Sequence, residues 1–132
     1  MLLQCAKSLH INEFRYDYAM TQMDLGVSFK KLSNAKDKKE NLLNAIECYN
    51  NALKVYNINE FPHEYAVTQK NFGISCEELS YMCNKNENLA KAIDCLEEAS
   101  RAYKTDEFRT KYDNEYNEIQ RKLKELKDKI EK

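Results

Sequence analysis

The sequence predicts an all-α chain built of repeated helical hairpins, and three observations carry that expectation. Its 132 residues include only two glycines and one proline, too few turn residues for a many-stranded sheet. Apolar residues recur three and four apart, as one face of a helix requires. Tyr18, Leu25, Phe29 and Leu32 mark one stripe, and Leu42, Ile46, Tyr49, Leu53 and Tyr56 mark the next. Written in rows of about 47 residues the chain aligns with itself without a gap, and about 19 of 47 positions are identical between the two complete rows.

The repeat divides one domain, 1–132, into four parts. Residues 1–12 form the end of a partial repeat, 13–59 the first complete row, 60–106 the second, and 107–132 a closing helix. Phe14, Tyr18, Ala19, Gly26, Leu32, Asn41, Ala45, Cys48, Ala52 and Tyr56 return as Phe61, Tyr65, Ala66, Gly73, Leu79, Asn88, Ala92, Cys95, Ala99 and Tyr103. Each complete row contains two apolar stripes and is therefore two helices. A hairpin of this kind cannot bury its stripes alone, so neighbouring rows must stack into one core.

Residues 1–10 match only the end of a second helix. Asn12, Asn59 and Asp106 precede the first helices of successive rows, where a short side-chain acceptor caps free N–H groups. Pro62 falls in a first turn, where its missing N–H is harmless. The second helices are expected to begin near Lys39 and Asn86, after polar stretches at Asn34–Asp37 and Cys83–Lys85. Gly26 and Gly73 fall inside first helices. A mid-helix glycine costs about 1 kcal/mol relative to alanine, so each is expected to admit a close approach, Gly26 to Ala45 and Gly73 to Ala92.

The last row keeps its apolar register, with Ile119, Leu123 and Leu126 at the positions of Leu25, Phe29 and Leu32, but Gln120 stands where Gly26 and Gly73 stood. A helix from Phe108 to Ile130 with a polar side is expected to cap the array. The stripe Tyr112, Tyr116, Ile119, Leu123, Leu126 and Ile130 is also spaced like a heptad seam, so a coiled-coil contact is the alternative.

Leu25-Gly26-x-x-Phe29 in a first helix, with Ala45, Tyr49 and Ala52 in the second, resembles the tetratricopeptide repeat family; Phe72-Gly73, Ala92, Leu96 and Ala99 repeat the pattern in the next row. The rows are similar to a long-period variant, since the usual period is about 34 residues. Gln22 and Gln69 stand at that family's tryptophan position, and its closing proline is absent. The resemblance implies a right-handed α-solenoid of antiparallel helix hairpins, acting as a non-catalytic scaffold that holds a peptide or partner helix on the concave face of its first helices. The groove positions it implies are Met20, Met23, Val27, Lys30 and Lys31 in the first row, and Val67, Lys70, Ile74, Glu77 and Glu78 in the second. The family's clamp for an acidic C-terminal peptide needs a Lys–Asn arrangement on the first groove helix. Met23 and Val27 stand there instead.

The residues point to no chemistry of their own. His10 and His63 lie beside helix junctions with no partnered nucleophile or carboxylate at a repeated spacing. No phosphate loop or paired-ligand motif occurs, so neither a cofactor nor a metal is expected. The five cysteines, an odd number without a C-x-x-C pair, are expected to be reduced and packed as small apolar groups. A formal net charge of -1 with interspersed signs argues against nucleic acid or an anionic membrane surface as partner. No apolar run reaches the roughly 20 residues of a membrane span, which makes a cytoplasmic location the expectation. The alternative function is self-assembly, as a homodimer through an open N-terminal end or the C-terminal helix.

Overall fold

The computed structural model describes the backbone of residues 2–131 and the side chains of 13–105 and 107–130. Six helices follow one another among the described residues: α1 (Leu2–Ser33), α2 (Lys38–Leu53), α3 (Pro62–Ser80), α4 (Lys85–Ala102), α5 (Asp106–Lys111) and α6 (Asp113–Glu131). No strand occurs among them. No described helix is long and apolar enough to cross a membrane. The expected all-α class holds, and so does the pairing of helices: α1 packs on α2, α3 on α4, α2 on α3 and α4 on α6.

Both second helices start one residue before the expected position, behind a matched pair of left-handed residues. Asp37 and Asn84 each have φ 45°, a conformation that Asp and Asn tolerate better than most side chains. The stretch after each is clamped identically. The Asn41 amide donates to the Lys36 carbonyl at 2.8 Å, and the Asn88 amide to the Cys83 carbonyl at 2.8 Å. The recurrence of this asparagine is thus a turn requirement.

The helix starts differ from the sequence expectation. Asn59 does not cap α3: the chain instead turns on Asn57, whose Oδ1 accepts the N–H groups of Asn59 at 3.0 Å and Glu60 at 2.8 Å, before Pro62 opens the helix. Asp106 opens α5 after Thr105, rather than preceding it. At the matching place in the first row, α1 runs through Asn12 without a break. The physical reason lies in two substitutions. His10 stands where Asn57 makes its turn and Arg15 where Pro62 removes an N–H, so nothing interrupts the helix. The side chains of residues 1–12 lie outside the described residues. The capping helix, expected unbroken from Phe108, divides at Tyr112 (φ -116°, ψ 39°) into α5 and α6.

The core is continuous from α2 to α6 and includes Ala45, Tyr49, Phe72, Leu89, Leu96, Ile119 and Leu126. Each wholly buried Leu or Ile side chain contributes about 1.5 to 3 kcal/mol of transfer free energy. Ile119, Leu123 and Leu126 are buried on α4. Most of the heptad-like seam is therefore used inside the chain, while Ile130 at its end is 41% exposed. Gln120 closes the same contact by donating to Ser100 Oγ at 2.6 Å.

The glycines admit close approaches, but not both to alanine. A Cβ at Gly73 would lie 3.1 Å from the Ala92 carbonyl oxygen and 3.2 Å from Leu96 Cγ, as expected. A Cβ at Gly26 would lie 2.5 Å from Tyr49 Cε1 and 2.8 Å from Cδ1, so the tyrosine ring, rather than Ala45, requires that glycine. The row-two equivalent of Tyr49 is Leu96, a smaller side chain.

Burial pushes the Cys76 and Cys95 thiols from 9.0 up to about 12, and the Tyr49 phenol from 10.0 up to about 12. The unfolded chain therefore releases these protons at lower pH than the folded one. Stability is full below pH 9.0 and falls as pH rises from there toward about 12. The denaturant midpoint is expected to decline through that window, and a midpoint constant across it would contradict the burial assignment.

Alanine gains about 1 kcal/mol of helix propensity over glycine, while overpacking costs about 1 to 3 kcal/mol. Gly73→Ala, facing contacts that need only small adjustments, is expected to leave stability nearly unchanged. Gly26→Ala must displace a buried ring and is expected to lose about 1 to 2 kcal/mol net. Urea unfolding checks the order, which a Gly26→Ala chain as stable as the parent would reverse.

Candidate partner-binding surface

The ten groove positions implied by the sequence lie on α1 and α3, and the structure sorts them into three kinds. Met20 and Lys31 are exposed. Met23 and Val27 are half-buried and pack against the core, Met23 touching both apolar clusters. Thr68 Oγ1, whose proton goes to the Glu64 carbonyl at 2.8 Å, lies 3.5 Å from Met23 Sδ, a contact between α3 and α1. Met23 thus serves packing at least as much as any open surface.

The charged positions are engaged between helices. Lys30 Nζ lies 2.8 Å from Glu78 Oε1, joining α1 to α3. Lys70 Nζ lies 3.1 Å from Glu118 Oε2, joining α3 to α6. Glu77, expected on an open groove, is instead buried beneath α6, with Lys122 Nζ at 2.8 Å and Lys129 Nζ at 3.9 Å. For Lys30–Glu78 the cause is a charge exchange between rows. Lys30 and Lys31 occupy the repeat positions of Glu77 and Glu78, so adjacent first helices bring opposite charges together. Lys129 also donates to the Tyr81 hydroxyl at 2.6 Å; this bond, together with the Glu77 carboxylate, holds its ammonium above the ordinary 10.5.

Two clefts flank α3. One, of about 150 Å³, is lined by Met23, Tyr56, His63, Glu64, Val67 and Thr68. The other, of about 130 Å³, is lined by Lys70, Ile74, Leu96, Glu118, Ile119, Arg121 and Lys122. Val67, Lys70 and Ile74 are spaced along a single stripe of α3, so both clefts open from that stripe.

Sequence reasoning missed the α6 residues Glu118, Arg121, Lys122 and Lys129, because it treated that helix only as a cap. Their i, i+3, i+4 and i+11 spacings were present in the sequence, but the helix they would face was not. His63 is half-buried, stacked on Tyr112 with ring centroids 4.3 Å apart and planes 10° apart. Its Nδ1 is 3.4 Å from the Tyr103 hydroxyl. No three described His, Cys, Asp or Glu residues gather as a metal-binding group. Compared with protein-family models, curated proteins and solved structures, the chain matches none.

The buried carboxylate yields an asymmetric pair of variants. Lys122→Met leaves Glu77 buried with only the more distant Lys129, whereas Glu77→Gln leaves two lysines that can turn to solvent. Breaking a buried pair costs about 3 to 5 kcal/mol, and the partial exposure of Lys122 reduces this to about 2 kcal/mol. Lys122→Met is expected to be the less stable variant in thermal and urea unfolding. Equal losses would show that Lys129 compensates fully.

Proposed function

We propose that this chain is a tetratricopeptide-like, non-catalytic scaffold, its hairpins wound as a right-handed solenoid and its first helices α1, α3 and α6 holding a peptide or partner helix from another protein. The observation that supports this reading best is the pair of clefts on either side of α3, because four of the ten groove residues, Met23, Val67, Lys70 and Ile74, line them. Apolar Met23, Val67 and Ile74 supply a floor that an irregular peptide side chain can fit. Lys70, Glu118 and Arg121 supply exchangeable charge at its edge, since an exposed ion pair is worth little and can be traded for a ligand's. Glu77 acts in this scheme as a support beneath the surface. Met20 and Lys31, which are exposed, stand at its rim.

Peptides selected by display against the intact chain provide the test. A selected peptide is expected to shift backbone amide resonances of Val67, Lys70 and Ile74 and of the facing α6 turn. Val67→Asp with Ile74→Asp is expected to weaken it by about 1 to 3 kcal/mol, in a chain whose folded spectrum is retained. Shifts confined to α2 and the α4 face away from α3, or binding unaffected by the pair, would overturn the reading.

A further inference from the structure

Residues equivalent under the repeat should have equivalent neighbours, and one set does not. Leu25 of α1 is 42% exposed, while its counterparts Phe72 and Ile119 are 3% and 1% exposed. Leu32 is 39% exposed against 4% at Leu79 and 0% at Leu126. Thr21 and Ser28 are exposed where Thr68 and Ser75 are buried, and Tyr18 is exposed where Tyr65 is half-buried. The difference is the covering helix. α2 lies on α3 and α4 on α6, whereas this stripe of α1 faces solvent.

The structure therefore records what covers such a stripe. In α2 the covering residue Tyr49 stacks on Phe72 with centroids 6.5 Å apart, and Ile46 and Leu53 are partly buried against the same core. These three positions are i, i+3 and i+7 of one helix face. Among the described residues a second copy of this chain offers no such helix free, because its α2 is covered by α3 and its α4 by α6. Asp17 and Asp24, exposed and one heptad apart, border the stripe on one side, and exposed Lys31 stands a heptad further on.

We propose that the Tyr18–Leu25–Leu32 face of α1 is a docking site for an amphipathic helix of a different protein, seated as α2 sits on α3. Its apolar residues fall at i, i+3 and i+7, and its flank carries lysine or arginine opposite Asp17 and Asp24. The site continues the stacking already present between α2 and α3 and between α4 and α6, one step further along the array. It is independent of the groove on α3.

The probe is a synthetic, fluorescently labelled peptide of the α2 sequence, residues 38–57 with Cys48→Ser, which carries the Ile46–Tyr49–Leu53 stripe and more lysines than glutamates. Anisotropy with the intact chain is expected to show saturable binding. Leu25→Glu with Leu32→Glu is expected to weaken it at least about tenfold, with the thermal midpoint unchanged because both side chains are exposed. Asp17→Lys with Asp24→Lys is expected to weaken it several-fold and to flatten its dependence on salt. Should the leucine pair lower the midpoint, Ser28→Arg, which places a bulky cation between the two leucines, is expected to give the same loss of binding. Absent saturation, or binding unchanged in both the leucine and Ser28→Arg variants, would overturn the proposal. A concentration-dependent dimer in sedimentation that these variants dissolve would overturn it in favour of a second copy on the same face.

Discussion

Tyr49 is the residue on which the stack depends. Its ring occupies the space that Gly26 leaves on α1 and lies over Phe72 on α3, so one buried side chain of α2 joins three helices. A single hairpin cannot bury both faces of its second helix, and the next first helix completes the burial. The step recurs at Leu96, which meets Gly73 within its own hairpin and lines a cleft with Ile119 of α6. A smaller residue there requires less room, and the approach at Gly73 is correspondingly less severe. The same contact therefore defines both the core and its unfinished end, where α1 carries the apolar half of the interface and faces water.

Electrostatics follows this stacking rather than producing it. The pairs Lys30–Glu78, Lys70–Glu118 and Lys122–Glu77 all run between first helices, and in the first of them a lysine pair of one row meets the glutamate pair that replaces it in the next. A pair open to solvent on one side, such as Lys70–Glu118, adds little stability. The value of these pairs lies in register, since sliding α6 along α3 by a turn would bury Glu77 without a partner. A surface whose charges are already paired also restricts what it can bind: a ligand must exchange charges with it or use the apolar floor between them.

Much of the fold was legible because it depends on local pattern. The hairpins, the starts of α2 and α4 and the place of Pro62 follow from periodicity and turn chemistry. Errors arose where one residue overrode the repeat. Equating His10 with Asn57 and Arg15 with Pro62 suggested a break in α1, yet neither residue can make one. Asn57, unmarked in the sequence reading, makes the turn assigned to Asn59. Of the candidate site, Val67, Lys70 and Ile74 fell on an accessible stripe, while Glu77 and Met23 were drawn into packing by α6 and Thr68.

The sequence by itself determined that the chain is helical and which face of its helices is apolar, because these are set by spacing along the chain. Only the tertiary structure decided which side chain fills each glycine gap, which charges meet, and which apolar stripe is left open. Those outcomes depend on residues about 20 to 50 positions apart meeting at van der Waals distance, where ring size and the docking of α6 govern and periodicity carries no information.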